Sequence, residues 1–185
     1  MESIKGKHIL LAGATGGIGS ALIPLLLQSG AQVFITGRNE TKLDDLRKQF
    51  PSIGNRYAIA DLRSETDVQQ LVEKYQQNIP AMDYLINVSG IGKIQSTDQL
   101  SVETFSDVLA TNLIAPYRLL KAFLPTLKQQ QSGLIIHIPG VLGKVPMAGA
   151  AAYSASKYGL VGMMQSIREE LKRTRVRITN VYLGG

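Results

Sequence analysis

His8-Ile-Leu-Leu-Ala12-Gly13-Ala-Thr-Gly-Gly17-Ile-Gly19 joins a short apolar run to a cluster of glycines, and this stretch decides the fold. The apolar run has the length of a buried strand, and residues 21–28 after the glycines have the pattern of a helix. A second strand-like run follows at residues 32–36. Because parallel neighbours in a sheet need a crossover connection, this opening predicts the strand, helix and strand of a parallel sheet.

The same alternation of strand-like and helix-like segments continues along the chain. Further strands are predicted at residues 56–60, 84–88, 134–138 and 177–183, and further helices at residues 40–50, 65–77, 101–130 and 152–173. Pro116 and Pro125 are expected to kink or interrupt the helix at 101–130. Six strands separated by helices predict an α/β fold, an open parallel sheet with helices on both faces, in a single domain at residues 1–185.

The composition indicates a soluble chain with one hydrophobic core. Of its 185 residues, 44% are hydrophobic and none is cysteine, so disulfides and thiolate sites are excluded. A reducing, cytoplasmic location suits this composition. The charged residues 1–7 precede only five apolar residues, a run too short for a signal peptide or a membrane span, so no membrane partner is expected.

A basic cluster and the two histidines do not indicate a functional site. The basic cluster near the end of the chain comprises Lys172, Arg173, Arg175 and Arg177. No aromatic residues are interleaved with these cations, which favours a solvated helix end over a nucleic-acid surface. His8 and His137 lie far apart in strand-like runs without the spacing of metal ligands, so no metal site is expected.

The glycine turn is a candidate phosphate-binding site. Gly13, Gly17 and Gly19 let the backbone approach a pyrophosphate, and the helix that follows offers free N–H groups at its N-terminus. Thr15 lies in the same turn. A glycine cluster is often only a tight turn, but its place between a strand and a helix favours nucleotide binding.

The end of the second predicted strand favours NADP(H) over NAD(H). The residues here are Thr36-Gly37-Arg38-Asn39, and none of them is an acid that would accept hydrogen bonds from a free ribose 2′-hydroxyl. Gly37 leaves room for a 2′-phosphate and Arg38 supplies a guanidinium for it. Under the alternative interpretation, Asn39 caps the next helix and Arg38 is merely exposed.

Tyr153 and Lys157 are four residues apart in a predicted helix, so they share one face. A cation beside a phenol favours the phenolate and lowers the phenol's pKa, which creates a usable proton donor or acceptor. By itself, the pair is more often a buried ring beside a solvated charge.

Together, the glycine turn, Asn87-Val-Ser-Gly90, Asn112 and Tyr153-x-x-x-Lys157 have the order and spacing of one family. The chain resembles the short-chain dehydrogenase/reductase family from about residue 7 to its last residue. The resemblance implies a Rossmann-type, doubly wound parallel sheet and reversible hydride transfer between the nicotinamide C4 and a carbonyl or alcohol carbon. It also implies a homodimer or homotetramer formed through the long helix and the helix of the Tyr–Lys pair.

The resemblance also implies contacts with the cofactor. Gly13, Gly17 and Gly19 would form the pyrophosphate turn, and Ile18 would lie on the nicotinamide side. Asp61, beside Leu62, would meet the adenine, although its position after the third strand also suits a loop or cap residue.

Further roles follow for the centre of the site. Asn87 would tie the central strands together and line the cofactor ribose beside Ser89 and Gly90. Asn112 would hold a water that links Lys157 to solvent. Tyr153 would be the acid/base, and Lys157 would bind the nicotinamide ribose and lower the pKa of Tyr153.

Gly140 departs from the family pattern. The family places a serine 13 positions before the tyrosine to hydrogen-bond the substrate oxygen, and here that position is Gly140. A lost donor of this kind costs ~2.7–4 kcal/mol of transition-state stabilisation. The Gly140 backbone N–H or an ordered water would have to replace it, and a Gly140→Ser variant is expected to gain rate.

A second departure lies at the end of the chain. Leu183 stands where the family has proline, and the seventh strand of full-length members is absent, so the domain is expected to be C-terminally incomplete.

The sequence therefore predicts an NADP(H)-preferring oxidoreductase that acts on small or medium carbonyl compounds. The alternative is a nucleotide-binding pseudoenzyme or interaction module of the same fold with residual redox activity.

Overall fold

The computed structural model describes residues 3–184, so Met1, Glu2 and Gly185 of the predicted domain lie outside the described residues. The strands are β1 (His8–Ala12), β2 (Gln32–Gly37), β3 (Tyr57–Ile59), β4 (Tyr84–Asn87), β5 (Gly133–His137) and β6 (Val176–Asn180). The helices are α1 (Gly17–Gln28), α2 (Glu40–Gln49), α3 (Glu65–Asn78), α4 (Val102–Leu109), α5 (Ala115–Gln130) and α6 (Ala151–Glu170). Short 3₁₀ turns lie at Pro51–Ile53 and Val141–Gly143.

All the strand pairs are parallel, and the strand order is β3-β2-β1-β4-β5-β6. The predicted doubly wound parallel sheet is therefore confirmed. Because the chain winds outward from β1 in one direction and then from β4 in the other, the order reverses between these two strands. In open sheets of this kind, ligands bind outside the carboxyl ends of the strands at the point of reversal.

Each face of the sheet carries its own apolar core. Leu10, Phe34 and Leu85 point to the face that α3, α5 and α6 cover. On this face the Tyr75 ring lies between Phe34 and Phe123, with ring centroids 5.2 and 5.4 Å apart. The alternate strand residues face α1 and α2, and the buried members of this second core include Ile9, Leu11, Val33, Ile35, Ile23 and Leu43.

The long helical segment differs from its prediction. Instead of breaking at a proline, it passes from α4 to α5 through a π-helical turn at Ala110–Ile114. Pro116 lies in the first turn of α5, where a missing N–H is tolerated, and Pro125 lies inside α5 without ending it. The turn carries Asn112, which is fully buried.

Three other boundaries shift by three residues or more. Helix α1 begins at Gly17, within the glycine cluster, whereas the prediction began it at residue 21. Helix α6 ends at Glu170 and β6 ends at Asn180, both three residues earlier than predicted. Among the described residues, no helix combines the length and apolarity needed to cross a membrane.

Candidate functional site

The glycine turn after β1 is packed so closely that side chains are excluded from it. Gly13 has φ +84°, and a methyl group there would lie 2.6 Å from the Ser89 backbone nitrogen. A methyl group at Gly19 would lie 2.7 Å from the Ala14 Cα. The turn is therefore held against both the loop after β4 and the first turn of α1.

The N-terminus of α1 is open toward this turn. Its N-cap residue, Gly16, makes no side-chain hydrogen bond to the first helical N–H groups. The backbone N–H groups of Gly13 and Ala14 both donate to the Thr36 carbonyl at 3.1 Å, which fixes the turn against β2. A fixed glycine turn with free helical N–H groups has the features of an anion-binding site.

A cleft of about 300 Å³ lies at the carboxyl ends of β1, β2 and β4, where the strand order reverses. Of the residues predicted to bind the cofactor, those that line it are Gly13, Thr15, Arg38, Asp61, Leu62, Ser89 and Gly90. Those that do not line it are Gly17, Ile18, Gly19, Asn87, Tyr153 and Lys157. The cleft therefore brings together Gly13 of the predicted pyrophosphate turn, residues predicted for the adenosine end, and the Ser89–Gly90 loop after β4.

One end of the cleft is cationic. Arg38 lines it together with Lys42, and Arg63 adds a third cation that is paired with Asp61 at 2.7 Å. The Arg63 guanidinium, by its hydrogen bonds, holds the pKa of the Asp61 carboxyl below its usual value. Asn39 does cap α2, since its Oδ1 accepts from the Lys42 N–H at 2.9 Å. The cap does not exclude Arg38 from the cleft, so the two interpretations of this segment are compatible.

Asn87 shapes the loop after β4. Its Oδ1 accepts hydrogen bonds from the Ser89 backbone N–H at 3.0 Å and from the Ser89 hydroxyl at 2.6 Å. The Val88 N–H donates to the Ala12 carbonyl at 2.9 Å, a backbone bond that extends the parallel pairing of the central strands β1 and β4. The buried Asn87 side chain thus positions Ser89, which lines the cleft.

Asn112 joins this loop to α6. Its amide donates to the Ile91 carbonyl at 2.8 Å and to the Ser156 hydroxyl at 3.1 Å, and its Oδ1 accepts from the Ile91 N–H at 2.8 Å. A methyl group at Gly90 would lie 3.2 Å from the Asn112 Oδ1 and 3.5 Å from the Lys157 Nζ. Gly90 therefore separates the cleft from the Asn112 and Lys157 side chains by a single backbone layer.

Lys157 and Tyr153 lie on one side of α6, as their spacing predicted. The Lys157 Nζ is 5.3 Å from the centroid of the Tyr153 ring and donates to the Ile138 carbonyl at 3.3 Å. Lys157 is only 4% exposed, and burial lowers its pKa to about 8. The predicted lowering of the Tyr153 pKa is not found in this protein, because burial of the half-buried phenol raises that pKa.

Gly140 has a backbone conformation that other residues rarely adopt. Its φ and ψ are 70° and 175°, a region used almost only by glycine. The neighbouring groups hold it there, since the Val141 N–H donates to the Leu183 carbonyl at 3.0 Å and the Gly143 N–H donates to the Gly140 carbonyl at 3.1 Å. The Gly140→Ser variant would therefore strain the backbone. This strain opposes the gain in rate that the added hydroxyl was expected to give.

Several residues of the site were not found from the sequence. Lys42, Arg63 and Thr111 line the cleft. Arg63 and Thr111 could have been indicated by their closeness in sequence to Asp61 and Asn112. No such signal indicated Lys42. His137, whose position in the sequence suggests no role in the site, is fully buried at the end of β5. Within residues 3–184, no three His, Cys, Asp or Glu side chains gather in a group that could hold a metal ion.

Comparisons with known proteins agree on one family. A family model described as short chain dehydrogenase matches residues 7–185. An uncharacterized oxidoreductase of Staphylococcus epidermidis is 29% identical over 184 residues, which span all of this chain and 80% of that protein.

Two solved structures are similar over nearly the whole chain. A metagenomic short-chain oxidoreductase in complex with NADP has a TM-score of 0.88 and 33% identity, covering 98% of this chain and 83% of its own. A variant of actinorhodin polyketide ketoreductase with NADPH has a TM-score of 0.90 and 31% identity, covering 98% of this chain and 71% of its own.

Proposed function

The chain belongs to the short-chain dehydrogenase family of oxidoreductases, and on this basis we propose that it transfers hydride between NADP(H) and a carbonyl or alcohol substrate. One observation carries the proposal: Gly90 lines the nucleotide-sized cleft on one side and approaches the Lys157 ammonium on the other. The cleft thereby adjoins Lys157, whose ammonium lies 5.3 Å from the centroid of the Tyr153 ring.

The residues of the cleft fit a dinucleotide. Side chains at Gly13 or Gly19 would fill the space that the turn needs, and the N-terminus of α1 has free N–H groups for a pyrophosphate. Thr15 and Ser89 are the polar side chains beside that position. When bound, the nicotinamide supplies or accepts the hydride, a reaction that no side chain of this protein can perform.

The cations at the other end of the cleft support a preference for the 2′-phosphorylated cofactor. Because Arg63 is paired with Asp61, Arg38 and Lys42 are the side chains that leave positive charge for a phosphate. Arginine matches the geometry of a phosphate with two parallel hydrogen bonds. The two solved relatives described above hold NADP and NADPH, which is consistent with this preference.

We assign the proton transfer to Tyr153. In the direction of reduction its hydroxyl donates a proton to the substrate oxygen, and in the direction of oxidation the phenolate accepts one. The raised pKa of Tyr153 makes it a weak acid, so the Lys157 cation, which would also bind the nicotinamide ribose, has to stabilise the phenolate as it forms. The Gly140 N–H, which has no partner among the described residues, is a donor available to the substrate oxygen.

We further propose that the protein is a homodimer or homotetramer that associates through its long helical segment and α6. Ile114 and Tyr117 are each 47% exposed on that segment, and Tyr158 is 43% exposed on α6. Large exposed apolar side chains on neighbouring helices are typical of an interface between subunits. A cytoplasmic location, with its supply of reduced nicotinamide cofactor, remains part of the proposal.

The enzyme is favoured over a nucleotide-binding module because the Tyr–Lys pair adjoins the cleft and the relatives are named as oxidoreductases. The test has two parts: NADPH binding followed by its fluorescence, and NADPH oxidation against a panel of aldehydes and ketones. Binding together with oxidation supports the proposal. Binding without oxidation of NADPH by any carbonyl compound would favour the module.

A further inference from the structure

Three polar side chains lie side by side at the carboxyl end of the sheet. Asn87, His137 and Asn180 are in register on β4, β5 and β6, so they point to the same face. Two residues earlier on the same strands and the same face are Leu85 and Ile135, both fully buried in the core. The polar row is therefore a layer directly above the apolar core, below α6.

Two members of this row have buried atoms without hydrogen-bond partners. His137 is fully buried, and neither of its ring nitrogens has a partner among the described residues. The Oδ1 of the neighbouring Asn180 is also buried and has no hydrogen-bond partner among the described residues. Buried polar atoms are almost always satisfied by protein or by internal water, so these two neighbours indicate a shared polar partner.

Lys157 has donors to spare beside this row. Its Nζ donates to the carbonyl of Ile138, the residue that follows His137, and an ammonium has three donors in all. Burial, together with the Lys157 charge, lowers the pKa of His137 to about 3, so at neutral pH the imidazole is uncharged and has one acceptor nitrogen and one N–H donor. Lys157 is the charged group acting on His137, whereas Asn87 and Asn180, its neighbours in register, are uncharged.

We propose that His137 is a positioning residue for Lys157, acting through one internal water held between the Lys157 ammonium, a His137 ring nitrogen and the Asn180 Oδ1. The water accepts a hydrogen bond from the ammonium and donates one to each of the two acceptors. Its three bonds are the usual number for a buried water, and they use one donor of Lys157 and one acceptor each of His137 and Asn180. The network keeps Lys157 protonated in a buried position.

The consequence for the reaction rests on the proposed function. If Tyr153 and Lys157 carry out proton transfer, Lys157 has to stay charged for reduction, so loss of its charge sets the alkaline limit of the rate. Removing the His137 acceptor withdraws support from the ammonium and lowers the Lys157 pKa further. We expect a downward shift of about one pH unit for the loss of a hydrogen bond to a charged group.

The test measures the Lys157 pKa directly, by NMR titration of protein with isotope-labelled lysine, with the signal assigned through Lys157→Met. His137→Leu should lower this pKa by about one unit, and His137→Gln, which keeps an acceptor, should restore most of it. Asn180→Ala, at the less buried end of the network, should lower it by a smaller amount and covers the case that His137→Leu fails to fold.

The alkaline limb of the rate of NADPH oxidation should move with the Lys157 pKa in the same variants. An unchanged Lys157 pKa in His137→Leu and Asn180→Ala, or in Asn180→Ala alone where His137→Leu does not fold, would overturn the inference. A shifted pKa in a protein that oxidises no NADPH would leave the network standing and overturn the proposed function instead. A lower rate in His137→Leu, with the Lys157 pKa and the alkaline limb of the rate both unchanged, would show that His137 has only a structural role. That result would also overturn the inference.

Discussion

The Lys157 ammonium lies 3.3 Å from the carbonyl oxygen of Ile138, in a position that is almost closed to solvent. Among the described residues, this carbonyl is the hydrogen-bond acceptor that the ammonium has in place of the water around a surface lysine. Lys157 is thus held charged where the fold disfavours charge, which is typical of groups kept for function at some cost in stability.

Lys157→Met should therefore stabilise the protein at neutral pH. Because burial lowers the Lys157 pKa from 10.5 to about 8, the charged lysine destabilises the folded state fully below pH 8, and this penalty disappears as the pH rises toward 10.5. The variant should gain up to about 3 kcal/mol in free energy of unfolding at pH 7, and much less near pH 10. Chemical denaturation at both pH values measures the difference.

The matched control for this prediction is Lys128→Met, since Lys128 is exposed on α5 and its removal should change stability little at either pH. A Lys157→Met variant no more stable than the natural protein at pH 7 would contradict the burial penalty.

Arg38→Ala should weaken NADPH binding selectively. Loss of charge-assisted hydrogen bonds to the 2′-phosphate should raise the Kd for NADPH by about 10- to 100-fold and leave the Kd for NADH nearly unchanged. Titrations that follow cofactor fluorescence measure both constants. Arg175→Ala, at an exposed position outside the cleft, is the control and should change neither. Equal losses of affinity for NADPH and NADH would show that Arg38 does not bind the 2′-phosphate.

Gly140→Ala should destabilise the fold. At φ 70° and ψ 175°, a Cβ has open space but a strained backbone, with an expected cost of about 1–3 kcal/mol. Gly162→Ala is the control, because Gly162 is exposed within α6 and an added methyl group there should stabilise the helix by about 0.5–1 kcal/mol. Thermal unfolding compares the two, and equal melting temperatures for Gly140→Ala and the natural protein would count against the strain.

Gly140→Ser then separates backbone strain from the missing hydroxyl. Serine and alanine impose the same strain, so a faster rate for Gly140→Ser than for Gly140→Ala would be due to the added donor. Equal rates would leave the backbone N–H as the better candidate.

Tyr117→Glu should dissociate the proposed oligomer. A carboxylate at this exposed position on α5 would be desolvated in an interface between subunits, which is costly unless it is paired. Light scattering coupled to size exclusion should show a reduced mass for this variant only. Leu25→Glu, on α1 and 58% exposed, is the control. An unchanged mass for Tyr117→Glu would remove α5 from the proposed interface.

The sequence was enough to predict the sheet because strand and helix periodicities are local. All six strands lie where their apolar runs indicated, within a few residues. The start of α1 at Gly17 was missed because glycine has a low helix propensity, and the N-terminus here depends on close packing instead. The π-helical turn was also missed, and the Asn112 side chain that it carries bonds to Ile91 and Ser156, contacts distant in sequence that periodicity does not reveal.

The site was predicted only where it depends on local spacing in the sequence. The shared face of Tyr153 and Lys157 follows from spacing along one helix. The direction of the Tyr153 pKa does not, since it depends on how deeply the phenol is buried in the folded protein. Lys42 and Arg63 come to the cleft from separate segments, and the burial of His137 depends on the register of β5 between its neighbours. The roles assigned to the individual cofactor-binding residues remain predictions.

The most direct test of hydride transfer with Tyr153 as the acid uses NADPH that carries deuterium at both C4 positions, a reducible carbonyl compound, and the natural protein beside Tyr153→Phe. Mass spectrometry should find deuterium on the carbinol carbon of the product with the natural protein. Tyr153→Phe should bind NADPH with similar affinity yet turn over about 100- to 10,000-fold more slowly. Tyr158→Phe, an exposed tyrosine of the same helix, should behave as the natural protein. Product without deuterium, or an undiminished rate in Tyr153→Phe, would contradict the account.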